Sequence, residues 1–137
     1  MKALTICQPW AWAIVHGPKR VENRRWPTRY RGPLLIHAGK SHDWLGTDLH
    51  ERLHPPAYEM AYGAIVGLAT LSSVTALWPG ASHPNPWAEG PWCWWLRDVH
   101  AFARPVPWRR GQGLWDADER DPLLAAALAA CGYEEAA

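Results

Sequence analysis

The chain has 137 residues, 48% hydrophobic and 20% charged, with a formal net charge of +1, which fits one soluble domain built on one core. No apolar run approaches the roughly 18–20 residues needed to span a membrane, and the N-terminus lacks the apolar stretch and cleavage site of a signal peptide. Cys7, Cys93 and Cys131 are odd in number, far apart and without a CxxC pair, which excludes a disulfide framework and a zinc knuckle. The expected location is the cytoplasm. Eleven tryptophans stand against one phenylalanine, so many indoles are expected in the core, where their large surface is hidden.

In chain order, "ALTICQ" (3–8) predicts a strand. Pro9 is suited to the first position of a short, apolar helix over "PWAWAIVHG", with Gly17 just past its end. "KRVENRRW" reads as a strand or strand-like edge, "TRYRGP" as a turn and "LLIHAGK" (34–40) as a strong strand. Residues 42–62 carry helical spacing interrupted by Pro55 and Pro56, which predicts helical pieces. The β-branched run 63–77 predicts a long strand bulged at Gly67. Residues 78–91 are too rich in Pro and Gly for regular structure. "WCWWLRDVHAFARPVPW" supplies one or two strands and "GQGLWDA" a last short one. A helix over about 121–132 has Asp121 as N-cap, Pro122 in its first turn and Gly132 beyond its end. Several strands with few long helices suggest a small barrel with helical decoration.

The near-zero net charge conceals an asymmetry. Residues 19–31 hold six bases (Lys19, Arg20, Arg24, Arg25, Arg29, Arg31) and one acid, Glu22, whereas 116–135 hold six acids and one base. A basic stripe of this kind is an electrostatic footprint for a phosphate-bearing partner. His50 and His54 have an i,i+4 spacing, but the HExxH pattern is missed and no third ligand is in view. No metal and no cofactor is expected.

Strand, "QPW" helix, Gly-x-Lys-x-x-Glu-x-Arg (Gly17, Lys19, Glu22, Arg24) and "YRGPLLIHA" follow one another in the order of the ASCH (activating signal cointegrator homology) family, a branch of the PUA-like superfamily, which this chain resembles. "GAIVGLATL", "NPWAEGPWCWWL" and "PVPWRRGQGLW" extend the likeness along nearly the whole chain. The resemblance implies a mostly β (α+β) fold: a PUA-like β-barrel with a buried N-terminal helix and peripheral helices. It forms one domain over 1–137, with a core of about 3–117. It also implies a cleft into which the motif projects, and binding of RNA or another nucleic acid. Some relatives hydrolyse small amides such as N4-acetylcytidine, and ribonuclease activity has been proposed for others. The amidohydrolases carry a threonine nucleophile where this chain has Glu22.

Glu22 and Arg24 are two apart and share a face of a strand. As an exposed pair they would contribute under about 1 kcal/mol; as part of a cleft, Lys19 and Arg24 offer donors to phosphate and Glu22 accepts from a base or hydroxyl. Trp10 is either core or a face on which a base stacks. Trp12 is expected in the core. Tyr30 and Arg31 are either phosphate contacts or solvated turn residues. His37 is expected as a hydrogen-bonded core residue, Trp115 as barrel closure or cleft floor, and the 81–91 loop as a lid. The sequence thus points to a binder of RNA, other nucleic acid or a nucleoside-like small molecule through Trp10, Lys19, Glu22, Arg24, Tyr30 and Arg31. The alternative is a hydrolase in which Lys19 and Glu22 form the acid–base pair. No membrane association is expected, and the sequence names no protein partner.

Overall fold

The computed structural model describes residues 1–43 and 53–134. They form β1 (Lys2–Gln8), α1 (Trp10–Val15), β2 (Val21–Arg24), β3 (Gly32–His42), a 3-10 turn (Ala57–Glu59), β4 (Ala64–Ala76), β5 (Trp92–Pro107), β6 (Leu114–Asp116) and α2 (Pro122–Ala130). No helix among these residues is long and apolar enough to cross a membrane. Of the stretch 42–62 expected to hold helical pieces, residues 44–52, which include His50 of the histidine pair, lie outside the described residues.

One six-stranded sheet runs in the order β2-β5-β4-β3-β1-β6, with β1 and β3 parallel and the other pairs antiparallel. Its fold is mixed α+β and barrel-like. β6 pairs with β1 only as far as Leu4. Beyond that point the Arg24 guanidinium, on edge strand β2, donates to the Thr5 carbonyl of β1. A side chain therefore bridges strands that no backbone ladder joins.

Alternation along the strands places the two larger of three core clusters on opposite faces, the third being Val21, Trp87 and Cys93. Leu4, Ile6, Leu34 and Ile36 pack with Ala11 and Ile14 of α1 on one face; Ala3, Leu35, Ile65 and Phe102 pack with Leu124 and Leu128 of α2 on the other. In β4 the parity slips: Ala64 and Val66 face α1, and so do Ala69 and Leu71. The slip coincides with register shifts around Gly67, the expected bulge. A Cβ at Gly67 would stand 2.6 Å from both the His100 carbonyl and Val15 Cγ1. The glycine is what lets the end of α1 rest on the sheet.

Local chemistry fixes the helix ends. Pro9 precedes α1 rather than opening it, and the buried Gln8 amide accepts from the Trp12 N–H while donating to the Ala61 carbonyl. Arg20 donates to the carbonyls of Ile14, Gly17 and Lys19, closing the C-terminus. Asp121 caps α2 by accepting from the Leu123 and Leu124 N–H groups.

The tryptophans depart from expectation. Among those described, Trp94 and Trp87 are buried, while Trp26 and Trp78 are exposed and the rest, Trp12 included, are half-buried. Partial burial suits an indole whose N–H needs a partner: Trp12 donates to Glu59, Trp95 to Thr75 and Trp115 to Thr5.

Candidate functional site

The cavity at the β1–β2 gap has a volume of about 290 Å³. Its polar wall is built by the stretch from α1 into β2. Lys19 follows the helix end and is 3% exposed; Glu22, on β2, is 8% exposed. The Lys19 Nζ donates to Glu22 Oε1 at 3.0 Å and to the Val21 carbonyl. Arg24 reaches Glu22 Oε2 at 3.3 Å, and the Asn23 N–H approaches Oε1 at 3.3 Å. The Glu22 carboxylate is thus held by two cations and an amide. The Arg24 Nε–H is buried and has no partner among the described residues.

This burial corrects the reading of Glu22 and Arg24 as an exposed pair. Charges taken out of water are costly unless paired, and removing one member leaves the others uncompensated.

The aromatic wall comes from two distant segments. Trp10 at the start of α1 and Trp87 of the 78–91 loop meet edge to face, 6.3 Å apart at 76°. The Trp10 Nε1–H donates to Asp43 at 3.2 Å, and Lys19 Nζ lies 6.0 Å from the Trp10 ring centroid, within cation–π range. The 78–91 loop is fastened rather than loose. Asn23 donates to the Trp87 carbonyl and accepts from the N–H groups of Glu89 and Gly90. Trp87 and Glu89 therefore stand as wall.

Trp10, Lys19, Glu22 and Arg24 share this cavity; Tyr30 and Arg31 do not line it. The Tyr30 hydroxyl donates to the Pro33 carbonyl, and Arg31 is turned back onto the carbonyls of Thr28 and Tyr30. Arg20 is held at the helix end and does not line the cavity either. Cys7, Asn23, Asp43 and Glu89 complete the lining. Cys7 carries no signal in the sequence; Asn23 sits between two motif residues and was readable only as spacing. Burial, together with the nearby Glu22 and Asp43 carboxylates, pushes the Cys7 thiol up, which disfavours the thiolate.

His37 lies elsewhere, 1% exposed in the core. Its Nε2 faces the Trp108 carbonyl at 2.6 Å and must donate, so Nδ1 accepts from the Thr5 hydroxyl at 2.9 Å. Thr5 in turn accepts from Trp115 Nε1–H at 2.8 Å. Burial, the largest influence, holds the His37 imidazole below its ordinary value. Trp115 lies edge-on to His37 and braces this network.

A family model described as the ASCH domain matches residues 4–104. Among solved structures, the ASCH protein from Zymomonas mobilis is similar at 19% identity and TM-score 0.54, covering 94% of this chain and 93% of that one. A Tyr→Phe variant of the same protein matches at 18% identity and TM-score 0.55, covering 91% and 96%. A Ser→Ala variant matches at 19% and 0.55, covering 91% and 94%. These likenesses speak to the fold. No curated protein sequence matches the chain.

Proposed function

Since the chain belongs to the ASCH domain family, PUA-like and associated with RNA binding, we propose that its cavity holds one unstacked nucleoside unit of RNA. The observation that carries this reading is the conjunction of two tryptophans with a buried charge array in one small cavity. A volume of about 290 Å³ is at the small end of ligand pockets, which run about 300–1,000 Å³. The lining has two cations, Lys19 and Arg24, against three carboxylates, Glu22, Asp43 and Glu89. Such a wall suits a nucleobase and its ribose, which bring hydrogen-bond donors and acceptors, better than a bare phosphate. Trp10 then supplies the stacking face and Arg24 Nε–H an unused donor.

Binding of the four ribonucleosides and of single-stranded RNA, followed by calorimetry, tests this. Stacking is worth about 1–3 kcal/mol per base, so Trp10→Ala should weaken binding by roughly 5–150-fold. Wild-type affinity in that variant would overturn the reading.

The 3.0 Å contact of Lys19 with Glu22 is also what a hydrolytic reading needs. Here both Glu22 oxygens already accept from donors, and accepting a proton would break one of these contacts. We expect no product from N4-acetylcytidine. Turnover lost in both Lys19→Ala and Glu22→Gln would establish the hydrolase instead.

A further inference from the structure

A second cavity, of about 390 Å³, shares the lining residue Cys7 with the first. Its chemistry is the reverse of the first. Lys40 and Arg109 are its charged lining residues, and no carboxylate stands among them. Neither cation has a hydrogen bond or ion pair among the described residues, unlike Lys19 and Arg24, which Glu22 compensates. Ser41 and Gln112 add neutral donors to the same wall.

The backbone is shaped to leave this space open. Gly63 has φ +61° and a Cβ built on it would meet nothing within 4 Å. Gly111, at φ +140°, lies so close over the Trp115 ring that a Cβ would sit 2.3 Å from it. The loop from β5 to β6 is thereby pressed onto Trp115, which brings Arg109 and Gln112 round to face Lys40 and Ser41 of β3 across one opening. Two cations without a partner among the described residues and two neutral donors, lining one cavity with no acid, have the chemistry to take an anion.

Resting on the nucleoside reading of the first cavity, we propose that the second cavity binds the phosphate attached to that nucleoside, with Lys40 and Arg109 as its ligands. The base and the phosphate of one nucleotide are a covalent neighbour pair, and the two cavities adjoin at a shared residue, Cys7. The acid-rich cavity takes the neutral part and the acid-free cavity the charge. The same chemistry serves a terminal phosphate monoester and a phosphodiester within a strand.

The test compares the four ribonucleosides, their 5′- and 3′-monophosphates and dinucleoside monophosphates on the wild type and on the Lys40→Ala/Arg109→Ala double variant, with inorganic phosphate as a separate probe followed by ³¹P line broadening. Both residues are exposed, so the double variant should fold. In the wild type the phosphate should raise affinity about tenfold or more, and in the double variant that ratio should fall towards one. A larger gain for monophosphates than for dinucleoside monophosphates assigns a chain end; equal gains assign a strand. If nucleosides bind but phosphate adds nothing, or adds as much in the double variant, the phosphate site is overturned and the nucleoside reading stands. If no nucleoside binds but inorganic phosphate does, and is lost in the double variant, the anion site stands and the nucleoside reading fails. No phosphate binding by any probe overturns the proposal outright.

Discussion

Two polar clusters lie beneath the surface, joined at Thr5, and they are built on opposite chemistry. The Thr5 hydroxyl belongs to the Trp115–Thr5–His37–Trp108 chain, where each donor meets an acceptor and no group carries a charge. The Thr5 carbonyl belongs to the Arg24–Glu22–Lys19 array, where charges are paired but one Arg24 donor is left over and a cavity lies alongside. A closed neutral chain contributes to stability, and although Thr5 and His37 also line the second cavity, their polar atoms are already paired with one another and with Trp108 and Trp115. An open charged array is costly to bury, and its leftover donor has a use only when something enters the cavity.

The largest effect expected from this contrast is at Glu22. Glu22→Ala leaves Lys19 and Arg24 buried without their common partner and should destabilise by about 3–5 kcal/mol in urea unfolding. A loss below about 1 kcal/mol, the value of an exposed pair, would show that water reaches the array and the contrast is false.

Breaking the neutral chain comes next. His37→Phe keeps a ring of similar shape but leaves the Trp108 carbonyl without its donor, a loss of about 1–3 kcal/mol. The variant should leave nucleoside binding at its wild-type value, since His37 does not line the first cavity.

A smaller effect separates the clusters by pH. The folded-state value of His37 lies below its ordinary 6.5, so the unfolded chain binds the proton first. Stability from this group is complete above pH 6.5 and is lost as pH falls from there through the lowered folded-state value, at no more than about 1.4 kcal/mol per pH unit. Urea midpoints measured across this range should show the slope in the wild type and lose it in His37→Phe. The smallest effect is at Arg31, exposed and turned to nearby carbonyls: Arg31→Ala should change stability by less than about 0.5 kcal/mol and leave RNA affinity unchanged.

The elements legible in the sequence are those with strong local signals. The β1 and β3 runs, the Gly67 bulge and the Asp121 cap each follow from composition or spacing, and so does the approach of Lys19, Glu22 and Arg24. What spacing could not give is burial. Nothing local says that Glu22 is enclosed, because the cavity it lines has a wall from Trp87, 65 positions away in the chain and held by Asn23. Spacing likewise could not say that Tyr30 and Arg31 stand outside the cavity, with polar atoms turned to carbonyls of their own turn. The tryptophan count misled because an indole is both a large apolar surface and a donor, and the donor keeps it at the boundary.

Gly67 reaches further than the bulge it makes. α1 is a six-residue rod, about 9 Å long at 1.5 Å per residue, with Val15 seated on Gly67 at one end and Trp10 in the cavity wall at the other. Any side chain at 67 would lift the seated end and tip the rod, moving the indole at the far end. The aperture of the cavity is therefore adjustable from a residue no ligand touches, and a lineage or a designer seeking a differently sized guest has a dial there as well as in the lining itself.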